Sequence, residues 1–135
     1  GLPVELRTNI TASELQELCR RASLFWHFCG LGQSNPALVE HFGMTVAEAM
    51  QCGCVPFVFD GGGMREIVHS GENGYLFSSL TELIETTIRL LDKPALRPNL
   101  AEAAWKAGRG FSKEVFAGRV KDLVQELLAP VPLTP

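Results

Sequence analysis

Basic residues are few and scattered: 12 Lys and Arg stand against 15 Asp and Glu, for a net charge of -3, and they form no cluster. A protein that follows a phosphate backbone needs a basic stripe, so nucleic acid is excluded as a partner. A small phosphorylated ligand is still compatible, because backbone amides can hold it without net positive charge. No apolar run approaches the roughly 20 residues needed to span a bilayer, and no signal peptide is recognisable. Cysteine is sparse too: Cys19, Cys29, Cys52 and Cys54. Cys52-Gly53-Cys54 is too tight for zinc-ligand spacing and no His/Cys pair follows it, so no metal is expected. The four read as free, half-buried thiols, which suits a reducing compartment. The expected location is cytoplasmic, with membrane-peripheral attachment left open for a full-length protein. Internal repeats and low-complexity blocks are absent. The chain opens Gly1-Leu2-Pro3 without a Met and is read as a piece of a longer protein.

What remains is an ordinary globular composition. The length of 135 residues fits one domain, and 46% hydrophobic content is enough for a core. The pattern alternates strand and helix. Residues 4–9 read as a short strand. Thr11 or Ser13 caps a helix carrying Leu15, Leu18 and Ala22. Residues 23–28 are a compact apolar run of strand length, followed by a Gly- and Pro-marked loop over 29–39. A helix is expected over 43–51. Residues 55–59 are almost wholly apolar, as in a strand buried on both faces of a parallel sheet. Gly61-Gly62-Gly63 breaks the chain before a short helix over 64–69, a turn over 71–74 and a strand over 75–77. From Ser79 the chain is helical, with Leu80, Leu83, Ile84, Thr87, Ile88 and Leu91 on one stripe. Further helices cover 100–107 and 113–128, and the Pro-rich tail over 130–135 is expected to be flexible. Strands separated by helices imply an α/β, Rossmann-like three-layer domain over 1–129 with a mainly parallel sheet and C-terminal helices. Ligands of such sheets bind beyond the carboxyl ends of the strands. That brings the 29–42 loop, the 60–63 loop and the segment near Ser78 to one site.

The chemistry concentrates in Glu40-His41-Phe42-Gly43-Met44-Thr45-Val46-Ala47-Glu48. Gly43 lets backbone approach a ligand closely. The first helical turn carries unsatisfied amides and the positive end of the helix dipole, which suits a diphosphate. Two carboxylates beside such a pocket cannot bind phosphate by charge; they would accept hydrogen bonds from neutral hydroxyls, which points to sugars. Plainer readings stand beside these. Thr45 to Glu48 matches a capping box, in which Glu48 merely bonds back to the Thr45 amide. Glu40 can be a solvated loop acid, and His41 a surface or packing histidine.

A longer set of blocks changes the balance. Trp26-His27, Gly30-Leu31-Gly32, the Glu40 to Glu48 segment with Ala49-Met50-Gln51-Cys52-Gly53-Cys54-Val55-Pro56, Gly62-Gly63-Met64-Arg65-Glu66-Ile67-Val68 and Gly71-Glu72-Asn73-Gly74-Tyr75-Leu76 resemble, in order and spacing, the C-terminal domain of the retaining glycosyltransferase family 4. The Trp-His and Glu-His-Phe-Gly forms look like the subset that includes mannosyltransferases of glycan assembly. The resemblance implies part of a GT-B architecture, two Rossmann-like domains with the active site between them. It implies that Glu40, the catalytic candidate, contacts donor-sugar hydroxyls and Glu48 the ribose. Backbone from Phe42 through Gly43 and Met44 to Thr45 would meet the sugar and diphosphate, with Gly62, Gly63 and His41 at the site edge. It implies a nucleotide-sugar donor, UDP- or GDP-linked, no cofactor and no obligatory metal. The carbohydrate or lipid-linked acceptor would be held by an N-terminal domain that this chain lacks. The family's Arg/Lys pair and two neighbouring strands also have no counterpart here. The chain alone is therefore expected to be inactive, with an open sheet edge that invites dimerisation.

Three rival readings are weighed. Gly30-Leu31-Gly32 begins a dinucleotide fingerprint, but Asn35 stands at its third position and no helix opens there. Sugar-nucleotide epimerases and glycogen-type phosphorylases share the architecture. A non-catalytic interaction module is the third. For the other residues, Phe25, Trp26 and Phe28 read as strand core and Trp105 as helix packing. Asp60 reads as a turn residue and Glu66 as a site-edge or helix-start acid. His27 is placed near the pocket mouth without a proton-transfer role.

Overall fold

Each helix start has a local cause. Thr11 closes a capping box on α1 (Ala12–Arg21): its hydroxyl accepts from the Glu14 amide at 3.3 Å, and the Glu14 carboxylate accepts from the Thr11 amide at 2.8 Å. Ser79 caps α4 (Leu80–Leu91) and Ser112 caps α6 (Lys113–Leu128) by the single bond, each hydroxyl accepting from the Glu82 or Val115 amide. Pro98 sits in the first turn of α5 (Arg97–Arg109), where its missing N–H costs nothing. Between these lie β1 (Leu24–His27), α2 (Met44–Gln51), β2 (Val55–Phe59), the one-turn α3 (Met64–Ile67) and β3 (Tyr75–Phe77). The computed structural model describes residues 3–129, so the expected flexible tail lies outside the described residues.

The three strands form one parallel sheet in the order β1-β2-β3. Leu24 pairs with Val55 and His27 with Val58; Phe57 pairs with Tyr75 and Phe59 with Phe77. Alternation along β2 explains its unbroken apolar run. Val55 and Phe57 face a cluster with Phe77, Leu83, Leu90 and Leu100, while Val58 faces Val46, Met50, Met64, Ile67 and Ala104. Helices therefore cover both faces, and the α/β, Rossmann-like reading holds. No helix among the described residues is long and apolar enough to cross a membrane.

Three expectations fail for one reason: each assumed a neighbour that is not there. Residues 4–9 form no strand, and Val4 and Leu6 are 87% and 88% exposed. A strand exists only against a ladder partner, and β1 has no strand on its outer edge among the described residues. Trp26 is 51% exposed and Phe28 44%, so of the three aromatic residues read as strand core Phe25 packs into it, Phe28 meets it only edge-on at Phe77, and Trp26 lies outside. Trp26 lies on the pleat face opposite Phe25 and His27, on a strand with no outer neighbour among the described residues. On α4 the buried line is Leu83, Thr87 and Leu90, while Leu80, Ile84, Ile88 and Leu91 are exposed. The stripe read from periodicity is real, but the sheet meets it along one flank.

Candidate functional site

The carboxyl ends of the strands deliver the site. β1 ends on His27 and the chain then loops through residues 28–43 to α2; β2 ends on Phe59 and turns through Asp60 and Gly61-Gly62-Gly63 into α3. These two loops interlock backbone to backbone. The Gly63 amide donates to the Glu40 carbonyl oxygen at 3.1 Å. Gly62 has φ +56°, and a Cβ there would overlap the same carbonyl; a Cβ on Gly63 would overlap the carbonyl of His41. Gly43, with φ +84°, lies against the end of the Met64 side chain. Only residues without a side chain allow this approach. Asp60 and Arg65 bracket the glycine loop with a two-pronged ion pair, Nε to Oδ1 at 2.5 Å and Nη2 to Oδ2 at 3.1 Å.

Within this frame the Glu40 carboxylate is fixed by its own loop. Its Oε1 accepts from the amides of Phe42 at 3.2 Å and Gly43 at 3.0 Å. Those bonds hold the carboxyl below the usual carboxylate range. Its Oε2 faces His27 Nε2 at 3.9 Å. The Phe42 and Gly43 amides are thus occupied from within, and the amides of Met44, Thr45 and Val46 open the helix ahead of its first backbone bond, Ala47 to Gly43 at 3.0 Å. The helix starts at Met44 on the Gly43 cap, so the capping box proposed for Thr45 and Glu48 does not form. Glu48 is instead exposed on α2, on the same side of the molecule as two grooves it lines. One, of about 700 Å³, runs between α1 and α2 past Gln16, Cys19 and Trp105. The other, of about 710 Å³, lies between α2 and the start of α6, past Phe42, Phe111 and Arg119.

The structure brings Glu40, His41, Phe42, Gly43, Gly62 and Gly63 together in one interlocked patch, with Met44 and Thr45 beginning the helix beside it. Glu48 stands one turn into α2, on the groove side. The residue that sequence reasoning undervalued is His27. Its side chain is 12% exposed, and burial lowers its pKa against the opposing pull of Glu40. Its place at the C-terminal end of a strand was the available signal. Asp60 was read as a turn residue, and its pairing with Arg65 also went unread. The cysteines are all free: Cys54 is buried with its thiol pushed up to about 11, and Cys29 is exposed. Among the described residues, no three His, Cys, Asp or Glu side chains gather closely enough to hold a metal ion.

The sucrose synthase of Thermosynechococcus vestitus is 39% identical over 76 residues, which are 55% of this chain and 9% of that protein. That of Beta vulgaris is 40% identical over 58 residues, 42% of this chain and 8% of that one. This chain therefore spans under a tenth of the curated relatives it matches. Anabaena HepE, solved in complex with UDP-glucose, superposes with a TM-score of 0.67 at 22% identity, over 84% of this chain and 30% of HepE, a likeness of fold. Sucrose-phosphate synthase from Thermosynechococcus elongatus superposes with a TM-score of 0.59 at 27% identity, over 68% of this chain and 24% of that one. Residues 4–107 match the family model described as glycosyl transferases group 1, and the chain belongs to that family.

Proposed function

We propose that this chain forms the nucleotide-sugar binding part, residues 1–129, of a retaining, metal-independent glycosyltransferase. The observation that carries the reading is the preset Glu40 carboxylate. It is ionised and tethered by two amides at the sheet's carboxyl end, beside the helix start whose amides suit a diphosphate. Glu40 accepts sugar hydroxyls, and Glu48, freed from any capping duty, accepts those of the ribose. Phe42, Gly43, Met44 and Thr45 line the sugar and diphosphate, with His41, Gly62 and Gly63 at the edge. The departing diphosphate is stabilised by preorganised donors as its charge develops. The acceptor hydroxyl attacks from the same face, so the anomeric configuration is kept. HepE holds UDP and UDP-glucose, which makes a UDP-linked sugar the first donor to test, ahead of a GDP-linked one.

The acceptor, a carbohydrate or a lipid-linked one, is held by chain outside these residues, in a cytoplasmic enzyme. The test is donor titration and turnover of the full-length protein. Glu48→Ala raises the donor Kd about tenfold, and Glu40→Ala lowers turnover about a hundredfold or more, the scale of a lost transition-state donor or acceptor. Product anomers are retained, and EDTA leaves the rate unchanged. Negligible effects from both substitutions would defeat the reading, and robust turnover by residues 1–135 alone would defeat the expected inactivity of the isolated chain.

A further inference from the structure

His27 is a largely covered titratable group that this mechanism leaves unused. It ends β1, with only 12% of its side chain exposed, and its ring lies 6.3 Å from that of Phe25 at an interplanar angle of 26°. Its Nδ1 is buried and has no hydrogen-bond partner. Its Nε2 points to the free oxygen of Glu40, Oε2, at 3.9 Å. A neutral imidazole carries its proton on one nitrogen only. A proton on Nδ1 would bury an unpaired N–H donor and would leave two acceptors, Nε2 and the carboxylate, facing each other. A proton on Nε2 turns that N–H toward the carboxylate, an attractive facing at 3.9 Å, and leaves only a lone pair orphaned at Nδ1. Chemistry therefore favours the Nε2–H form.

We infer that His27, as the neutral Nε2–H tautomer, is a positioning residue for Glu40: it holds Oε2 from behind while the opposite lone pair of that oxygen receives the donor-sugar hydroxyl. The inference rests on the donor-site reading of Glu40. With Oε1 tied to the Phe42 and Gly43 amides, Oε2 is the oxygen left for substrate, and the rotation of the carboxylate decides where it points. The separation of 3.9 Å is about one ångström longer than a good hydrogen bond. Such bonds tighten when substrate completes the site. His27 touches no substrate in this scheme and acts only through Glu40.

Two measurements on the full-length protein test it. The first compares His27→Gln, whose amide nitrogen replaces Nε2–H, with His27→Leu, which fills the space without a donor. His27→Leu lowers kcat about tenfold with the donor KM within about twofold, and His27→Gln restores most of the rate, the scale of one hydrogen bond to a charged group. Equal rates for Leu and wild type, or equal losses for Gln and Leu, would overturn the inference. The second reads the imidazole nitrogens of histidine-labelled protein by long-range nitrogen–proton correlation and needs no activity. The expected result is the Nε2–H tautomer, with an Nε2 signal that moves on Glu40→Ala. A proton on Nδ1, or no response to Glu40→Ala, would overturn it. Turnover that survives Glu40→Ala defeats the donor-site reading instead, and the nitrogen spectra still judge the contact between His27 and Glu40.

Discussion

Gly63 donates its amide to the carbonyl oxygen of Glu40 at 3.1 Å, and through that bond the loop after β2 carries the loop that holds the acid. The contact is between main chains. What Glu40 can do therefore depends on two residues that offer no side chain at all.

Gly62→Ala tests this dependence. An added Cβ would overlap the Glu40 carbonyl in a left-handed backbone conformation, so the loops must part. The expected cost is about 2 kcal/mol or more from overpacking and strain, together with lost donor binding. Chemical denaturation and donor titration of the same variant check both. Gly71→Ala serves as the control: it shares the positive φ but has open space around it, so only the strain should register.

Glu48→Ala separates a helix cap from a ligand contact. Gly43 is the cap of α2 and Glu48 closes no box, so the unfolding free energy should move by less than about 0.5 kcal/mol, as at an ordinary surface site. A true capping acid would cost about 1 kcal/mol. Donor affinity should fall while stability holds, and urea melts beside binding curves give the answer.

Acid should weaken the fold in two steps. Burial depresses the His27 pKa below 6.5, so the unfolded chain binds a proton there first, and stability drops as pH falls below that value. Amide bonds depress Glu40 below 4.5, so its contribution is present above that value and fades as pH falls through the lowered one. Unfolding midpoints recorded from pH 7 down to about pH 2 should show His27→Leu flattening the upper step and Glu40→Gln the lower.

Thiol labelling should follow burial. Cys29 is exposed and reacts first with a maleimide, whereas Cys54, buried and raised to about 11, reacts only as the protein unfolds. Mass spectrometry of time points gives the order, and early modification of Cys54 would contradict the seat of its thiol against the carbonyls of Cys19 and Ala22 at the end of α1.

The sequence made the three strands and most helices legible because their causes are local. Val55 to Phe59 is apolar without interruption, glycines close it, and Thr11, Ser79 and Ser112 announce their helices. Residues 4–9 carry similar propensities but need a pairing partner, and propensity does not supply one. Trp26 looked like core for the same reason, since hydrophobicity does not reveal which strand is an edge. The patch around Glu40 was legible as a motif, while its internal wiring was not. Glu40 bonding to the amides of Phe42 and Gly43, and His27 standing behind it, arise from a turn and a strand end meeting in space, and no periodicity encodes that.

The two tryptophans divide the molecule into separately observable regions. Trp26 is half exposed on the open strand, while Trp105 lies under the Arg109 guanidinium at 5.0 Å and lines the groove shared with Glu48. Their fluorescence therefore carries two distinct signals. A Trp26→Phe protein would glow from the groove alone, and a Trp105→Phe protein from the exposed face of β1 alone.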